Sequence, residues 1–268
     1  MADVGIPEPF EAYAVRLGRI DRPARDNFLH ARDLTGEMTM DFDMWFLRRG
    51  ETVIAVDTGM SDRADPQRGR RLDRLPRDAA GELGIDPDAV SDLVITHLHY
   101  DHAGRIGDFP AARVWVQKSE LDYVLGPDMG HPSLSHFFDV DDLKVVLERI
   151  FASSVRAIDG TRVLVPGVEL HHIGGHTRGL QVVRVYTERG WVVIASDALH
   201  YYANHERRDP FPAVVDLPQM LEGYVRIEEL ADTWEHIIPG HDPEVMTRYA
   251  CGDLPEGIVA LHRPPAAR

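Results

Sequence analysis

Short apolar runs separated by clusters of Gly, Pro, Asp and Asn set the rhythm of this chain, and the period of each run indicates what it forms. In the N-terminal half Ala12–Leu17, Met40–Leu47, Thr52–Val56, Leu93–Thr96 and Val114–Gln117 read as strands. Pro76–Leu83, capped by Gly84, and Ser119–Leu125 read as helices. Asp141–Phe151 is a further helix, because Leu143, Val146, Leu147 and Ile150 fall on one helical face. The C-terminal half repeats the order. Strands at Arg162–Leu164, Val168–Ile173, Leu180–Tyr186 and Trp191–Ala195 precede a helix at Leu217–Asp232 and a short strand at His236–Ile238. Two sets of strands with covering helices predict an αββα sandwich of the α/β (α+β) class. No internal repeat, low-complexity tract or Ser/Gly linker divides the chain, and the breaker-rich stretch Ser61–Pro76 reads as a loop between elements. The expectation is one domain over residues 1–268, long enough for a substantial core.

Polar residues at the strand ends change the picture. The run Asp92-Leu93-Val94-Ile95 leads into Thr96-His97-Leu98-His99-Tyr100-Asp101-His102-Ala103-Gly104, on a loop leaving the C-terminal end of a strand, where α/β folds place chemistry. His97 and His99 project to one side of an extended chain, while Asp101 and the adjacent His102 point elsewhere, which suits two neighbouring metals better than one. Any single histidine is most often a surface or hydrogen-bonded core residue. Three histidines and a carboxylate crowded at a strand end have no common partner except a cation. The same form recurs three times. His176 lies in Gly174-Gly175-His176-Thr177-Arg178-Gly179 after Val168–Ile173, Asp197 in Ser196-Asp197-Ala198 after Trp191–Ala195, and His241 in Pro239-Gly240-His241-Asp242 after Glu235–Ile238. Imidazole and carboxylate ligands suit zinc and also accept iron, manganese or cobalt.

In these motifs and their order, from Val56-Asp57-Thr58-Gly59 to His241, the chain resembles the metallo-β-lactamase superfamily over most of its length. The resemblance implies the four-layer αββα metallo-β-lactamase sandwich and two divalent metal ions. One would be held by His97, His99 and His176, the second by Asp101, His102 and His241, with Asp197 bridging both. Asp57 would orient the ligands from behind. Several branches of the superfamily fit less well: the sole cysteine, Cys251, is far from Asp197, His99 stands where flavodiiron reductases carry glutamate, and no lysine follows His241.

The N-acyl homoserine lactone lactonases are the branch this chain is most similar to. The likeness rests on the segment His97 to Gly104, on Gly175-His176-Thr177, on Asp197 with the aromatic-rich loop after it, and on Pro239-Gly240-His241-Asp242-Pro243. It implies opening of a lactone to a hydroxy acid by a hydroxide held between the metals, with Asp101 favoured as proton acceptor because a bridging Asp197 has both oxygens occupied. Members of that family carry a tyrosine three residues after the bridging aspartate, on the substrate carbonyl. Here His200 holds that position, followed by Tyr201 and Tyr202. Either His200 or Tyr201 serves as the donor, or all three pack the loop. Arg178, where proline is frequent, either meets an anionic substrate group or faces water.

Composition narrows the partners. The formal charge is −15, from 44 acidic and 29 basic residues, with Lys118 and Lys144 as the only lysines, which excludes a nucleic-acid role. A single cysteine, assigned a structural role, excludes an intrachain disulfide. The segment Met1–Pro7 lacks the features of a signal peptide, and no run approaches the ~20 apolar residues of a membrane span. The expectation is a cytoplasmic, soluble protein that acts on a small molecule and binds no membrane. Relatives include dimers, so a homodimer is allowed, although no stretch identifies an interface.

The segment Gly126–Val140, with Met129, His131, His136, Phe137 and Phe138, is expected to flank the metal edge. So is Tyr201–Val215, with His205 and Phe211, and together they would form an apolar pocket. Such a pocket admits an acyl chain or an aromatic ring. The alternatives on the same fold are therefore hydrolysis of an activated aryl ester or ether, another cyclic ester, or an amide. A mononuclear-iron oxidoreductase of the persulfide kind is a reading from another class, opposed by the full second-site set Asp101, Asp197 and His241. A non-catalytic binding protein is least supported, since all seven ligand positions are filled.

Overall fold

The computed structural model describes residues 7–31, 33–62, 70–249 and 252–266. Strands β1 (Glu11–Pro23) and β2 (Glu37–Arg49) pair antiparallel, and their alternate residues enter different cores. Tyr13, Val15, Leu17, Met44 and Phe46 go to one, and Ala12, Ala14, Trp45 and Leu47 to another. Covered on both faces, these strands read as near-continuous apolar runs instead of simple alternations.

The first sheet adds β3 (Thr52–Val56), β4 (Arg71–Leu72), β5 (Asp92–Val94), β6 (Arg113–Gln117) and β7 (Val155–Ile158). The second holds β8 (Arg162–Val165), β9 (Val168–His172), β10 (Gln181–Thr187), β11 (Gly190–Ser196) and β12 (Ile237–Pro239). A last strand, β13 (Ile258–Ala260), returns to β1. The strand orders are β13-β1-β2-β3-β5-β6-β7, with β4 beside β1, and β12-β11-β10-β9-β8.

Three apolar layers define the αββα sandwich. The middle one joins Trp45, Leu47, Ile54 and Val56 to Val168, Leu170, Val183, Val185, Val192 and Ile194 across the two sheets. Outside the first sheet, helices Pro76–Glu82, Lys118–Val124 and Val140–Phe151 contribute Ala79, Ala80, Tyr123, Val124 and Val146. Outside the second, helix Leu217–Leu230 contributes Met220, Tyr224, Ile227 and Leu230 over Val182, Val193 and Ala195. No described helix is long and apolar enough to cross a membrane.

The topology also explains where the ligand loops go. β3 runs parallel to β5, and β11 runs parallel to β12. Asp57 and His97 therefore leave neighbouring strand ends in one sheet, and Asp197 and His241 leave neighbouring ends in the other. The expected helix forms at Val140–Phe151, but of its apolar face only Val146 is fully buried, while Leu147 is 46 % and Ile150 37 % exposed. β7 and β13 were not legible as strands at all. The stretch Ser61–Pro76, expected as a loop, carries the two-residue strand β4 and the first residue of helix Pro76–Glu82, and its residues 63–69 lie outside the described residues, as do Cys251 and the segment 1–6.

Candidate metal centre

Asp197 stands at the centre of the ligand cluster, and its two oxygens face different sets of histidines. Oδ2 is 3.7 Å from His97 Nε2 and 3.1 Å from His176 Nε2. Oδ1 is 3.1 Å from His102 Nε2 and 3.0 Å from His241 Nε2. Ligand-type atoms of His97, His99, His176 and Asp197 lie within 4.8 Å of one another, and so do those of Asp101, His102 and His241. All seven predicted ligand residues are thus brought to one place, in the two groups expected. Asp101 is the most exposed of them, at 9 %, and opens onto the cavity.

The outer edge of each ring shows which nitrogen is presented inward. His176 Nδ1 meets the carbonyl of Ala213 and His241 Nδ1 the carbonyl of Asp41, each at 2.7 Å. A carbonyl only accepts, so Nδ1 carries the proton and Nε2 keeps a bare lone pair pointing inward, the tautomer a metal needs. His102 Nδ1 lies 2.9 Å from Asp57 Oδ2 and is fixed likewise.

Asp57 also accepts from the backbone N–H of Thr96 at 2.7 Å, from Thr96 Oγ1 at 2.7 Å and from Ser196 Oγ at 3.4 Å. One buried carboxylate therefore ties together the loops after β3, β5 and β11. Both Asp57 (φ 58°) and Ser196 (φ 45°) occupy the left-handed region without being glycine. Such strain costs about 1–3 kcal/mol per residue and persists where the surroundings overdetermine it.

The cluster fits cations. His97 Nε2, His102 Nε2, His241 Nε2 and Asp197 Oδ1 are buried, and no hydrogen bond satisfies them. Close approach without hydrogen-bond geometry is how ligand atoms stand around a shared ion, and leaving them unmet in a dry interior would be costly. Burial opposes a charge on His102, yet Asp197 and Asp57 on either side hold it well above the usual imidazole range. The carboxylates of Asp197 and Asp57 on either side of this ring would likewise offset the charge of a cation held there. Burial opposes the Asp197 carboxylate too, but His200, His102, His241 and His176 hold it well below the usual range.

The structure places the remaining candidates as follows. His200 faces the site: its Nε2 is 3.0 Å from Asp197 Oδ2, and its ring stacks on Phe211 at 4.0 Å and 6°. Burial pulls it down to about 3, so it stays neutral. With Asp197 and His241 it forms a third set of ligand-type atoms within 4.8 Å, a capacity its sequence position did not suggest. Tyr201 is buried beside the cavity, with its hydroxyl engaged elsewhere. Its hydroxyl donates to the carbonyl of Thr39 at 3.3 Å and its ring packs in the cluster of Met40, Phe42, Met60, Tyr100 and Phe211, so of the two candidate donors it is His200 whose polar atom meets Asp197. Tyr202 donates to Ile237 O at 3.1 Å and packs in the apolar layer between the sheets.

His136 lines the cavity, whereas His131 does not, and His205 pairs with Glu228 beneath Trp234. Arg178 neither faces water alone nor meets the cavity, since it pairs with Asp128 at 2.8 Å. Glu120 escaped sequence reasoning. Its buried carboxylate accepts from the N–H groups of Leu98 and Gly179, both at 2.9 Å, and so joins the His97–His99 loop to the His176 loop. Only its place just after a strand hinted at this.

Above the cluster lies a cavity of about 310 Å³, walled by Met40, Tyr100, Phe137, Phe211, Pro212 and Ala213 together with Arg22, Asp26, Arg70 and His136. His99 stacks on Phe137 at 4.9 Å, which connects floor to wall.

An αββα sandwich that gathers two groups of histidine and aspartate side chains at one edge, under a small cavity, defines a metal-binding α/β protein. The family model described as the metallo-beta-lactamase superfamily matches residues 43–248, and the chain belongs to that superfamily. The chain is 28% identical over 246 residues to N-acyl homoserine lactonase AiiA of Bacillus thuringiensis subsp. kurstaki, covering 84% of this chain and 90% of the relative. A crystal structure of a quorum-quenching N-acyl homoserine lactone lactonase superposes with a TM-score of 0.71 at 26% identity, covering 87% of this chain and 92% of that one. A structure of an N-acyl homoserine lactone hydrolase with the product N-hexanoyl-L-homoserine bound at its catalytic metal center gives 0.71 at 25% identity, covering 88% and 94%.

Proposed function

We propose that this protein is a hydrolase holding two divalent ions, zinc foremost, and that it opens the lactone ring of N-acyl homoserine lactones, a quorum-quenching activity. The observation that carries the reading is the division of Asp197, with one oxygen toward His97 and His176 and the other toward His102 and His241. The likeness to N-acyl homoserine lactonases supports the substrate class. Paired ions supply Lewis acidity toward an ester carbonyl and a water-derived nucleophile at neutral pH.

The chain's own residues do the rest. His97, His99 and His176 would hold one ion, Asp101, His102 and His241 the other, and Asp197 would join them. Asp101, opening onto the cavity, takes the proton lost by the attacking water and returns it to the ring oxygen as the ester C–O bond breaks. His200 is neutral and held in plane by Phe211, so it donates one hydrogen bond from Nε2 without bringing a charge. In the structure that donor rests on Asp197 Oδ2, beside the reacting position. Phe137, Phe211 and Pro212 put apolar surface beside the floor, and the lower local polarity strengthens the polar contacts there. The test is product analysis in ¹⁸O-labelled water by mass spectrometry. The expected product is the acyl homoserine with one labelled oxygen in its new carboxylate, and recovery of intact lactone from the metal-loaded protein would reject the reading.

A further inference from the structure

The cavity over the ligand cluster is not the plain apolar funnel its two loops suggest. Two guanidinium groups stand on its wall, Arg22 from β1 and Arg70 from the residue before β4. Arg22 donates from Nη2 to the carbonyl of Asp26 at 3.0 Å and from Nη1 to Met40 Sδ at 3.8 Å, and its guanidinium carbon lies 5.0 Å from the centre of the Phe211 ring. Among the described residues none of its partners is a carboxylate. The carboxylate of Asp26, which shares the cavity, faces Arg25 at 3.7 Å. A guanidinium has five N–H donors, so these contacts orient Arg22 and leave donors for a ligand. Arg70 lies with its guanidinium carbon 4.9 Å from the Tyr100 ring centre and 5.3 Å from that of Phe42. Planar forks mounted on aromatic rings are well suited to gripping a carboxylate with two parallel hydrogen bonds. Phe211 also stacks on His200, so the place of Arg22 is linked to the reacting floor.

We propose that Arg22, with Arg70 on the wall of the same cavity, receives a carboxylate at the far end of the substrate, so that the site prefers lactones with an anionic tip over those ending in a neutral alkyl chain. The proposal rests on the lactonase reading above and narrows its substrate class. A cavity of about 310 Å³ has the volume of roughly ten liquid waters, room for a short arm.

The experiment compares N-adipoyl and N-hexanoyl homoserine lactone, whose arms have equal length and end in carboxylate or methyl, on the metal-loaded protein. The adipoyl substrate is expected to have at least about a tenfold higher kcat/KM, the scale of a hydrogen bond to a charged group. Arg22→Met should collapse that ratio, chiefly through KM. Arg22→Lys should retain part of it, keeping the charge without the fork. Arg156→Met, on exposed β7, should leave the ratio unmoved. Metal content of each variant checks the fold. Independently of turnover, calorimetry should show adipate binding more tightly than hexanoate, with the difference lost in Arg22→Met. Equal kcat/KM for the two lactones, a ratio unmoved in Arg22→Met, or adipate binding no tighter than hexanoate would overturn the proposal. If neither lactone is opened while adipate binds through Arg22, the lactone reading fails and the anion site stands.

Discussion

The floor and the wall of one cavity are built on different terms. On the floor, His97, His99, His102, His176, Asp197 and His241 are all buried, and they leave strand ends or the turns beside them. Their orientations are overdetermined: Asp57 ties three loops, Glu120 ties two, and backbone carbonyls of Asp41 and Ala213 fix two imidazoles. Part of the wall is looser: Arg22, Arg70, His136 and Phe137 are only half-buried or exposed, near the end of a strand, in an extended segment and in a short turn, set among the buried Met40, Tyr100 and Phe211. The difference assigns their roles. Groups held from several sides supply chemistry, which tolerates little misplacement. The half-buried wall groups can be exchanged with less disturbance to the sheets, which suits the role in substrate choice proposed for them.

The largest break in that contrast should come from Asp197→Ala. Loss of the carboxylate shared by both histidine sets is expected to cost at least one bound metal by elemental analysis and to drop hydrolysis to the chelator-treated level. Full activity would remove the bridging role. Asp57→Asn keeps the shape and changes the donor pattern behind His102 and Thr96, so metal affinity should fall by about 10–100-fold in a competition titration while the fold survives. Unchanged affinity would show that the ligands are set without it.

Gly240→Ala tests how closely the loops are packed. A Cβ there would lie 2.7 Å from the Ser196 carbonyl carbon and 3.0 Å from Asp197 Oδ1. Destabilisation of about 1–3 kcal/mol in denaturant, with lowered metal occupancy, is expected. Tyr201→Phe should be mildest. It removes one hydrogen bond to Thr39 O, worth about 0.5–1.5 kcal/mol of stability, and should leave kcat nearly as it was. A large fall in kcat with normal stability would return Tyr201 to the reacting site.

Much of this arrangement was legible in the sequence, for local reasons. Strands covered on both faces announce themselves as apolar runs, as at Thr52–Val56, and ligands placed directly after such runs come as compact motifs. What stayed hidden depends on contacts far apart in the chain. β7 is an edge strand with two exposed residues and no clear alternation, and β13, although wholly apolar, is three residues long and too short to show a period. The carbonyls that orient His176 and His241 have no side-chain signature. Whether His200 or Tyr201 meets Asp197 turns on the backbone path between Asp197 and the helix Tyr202–Arg207, along which the two side chains find different partners. Glu120 and Arg22 carry no local sequence signal, because their distant partners lie at Leu98 and Gly179 for one and Phe211 for the other.

The most direct test of the metal-dependent lactonase reading is proton release by the metal-replete protein given an N-acyl homoserine lactone, beside a chelator-stripped control. Rapid acid production by the first, none by the second, and its return when zinc is added back are the expected results. Two bound metals with no acid released, or equal release from both samples, would contradict it.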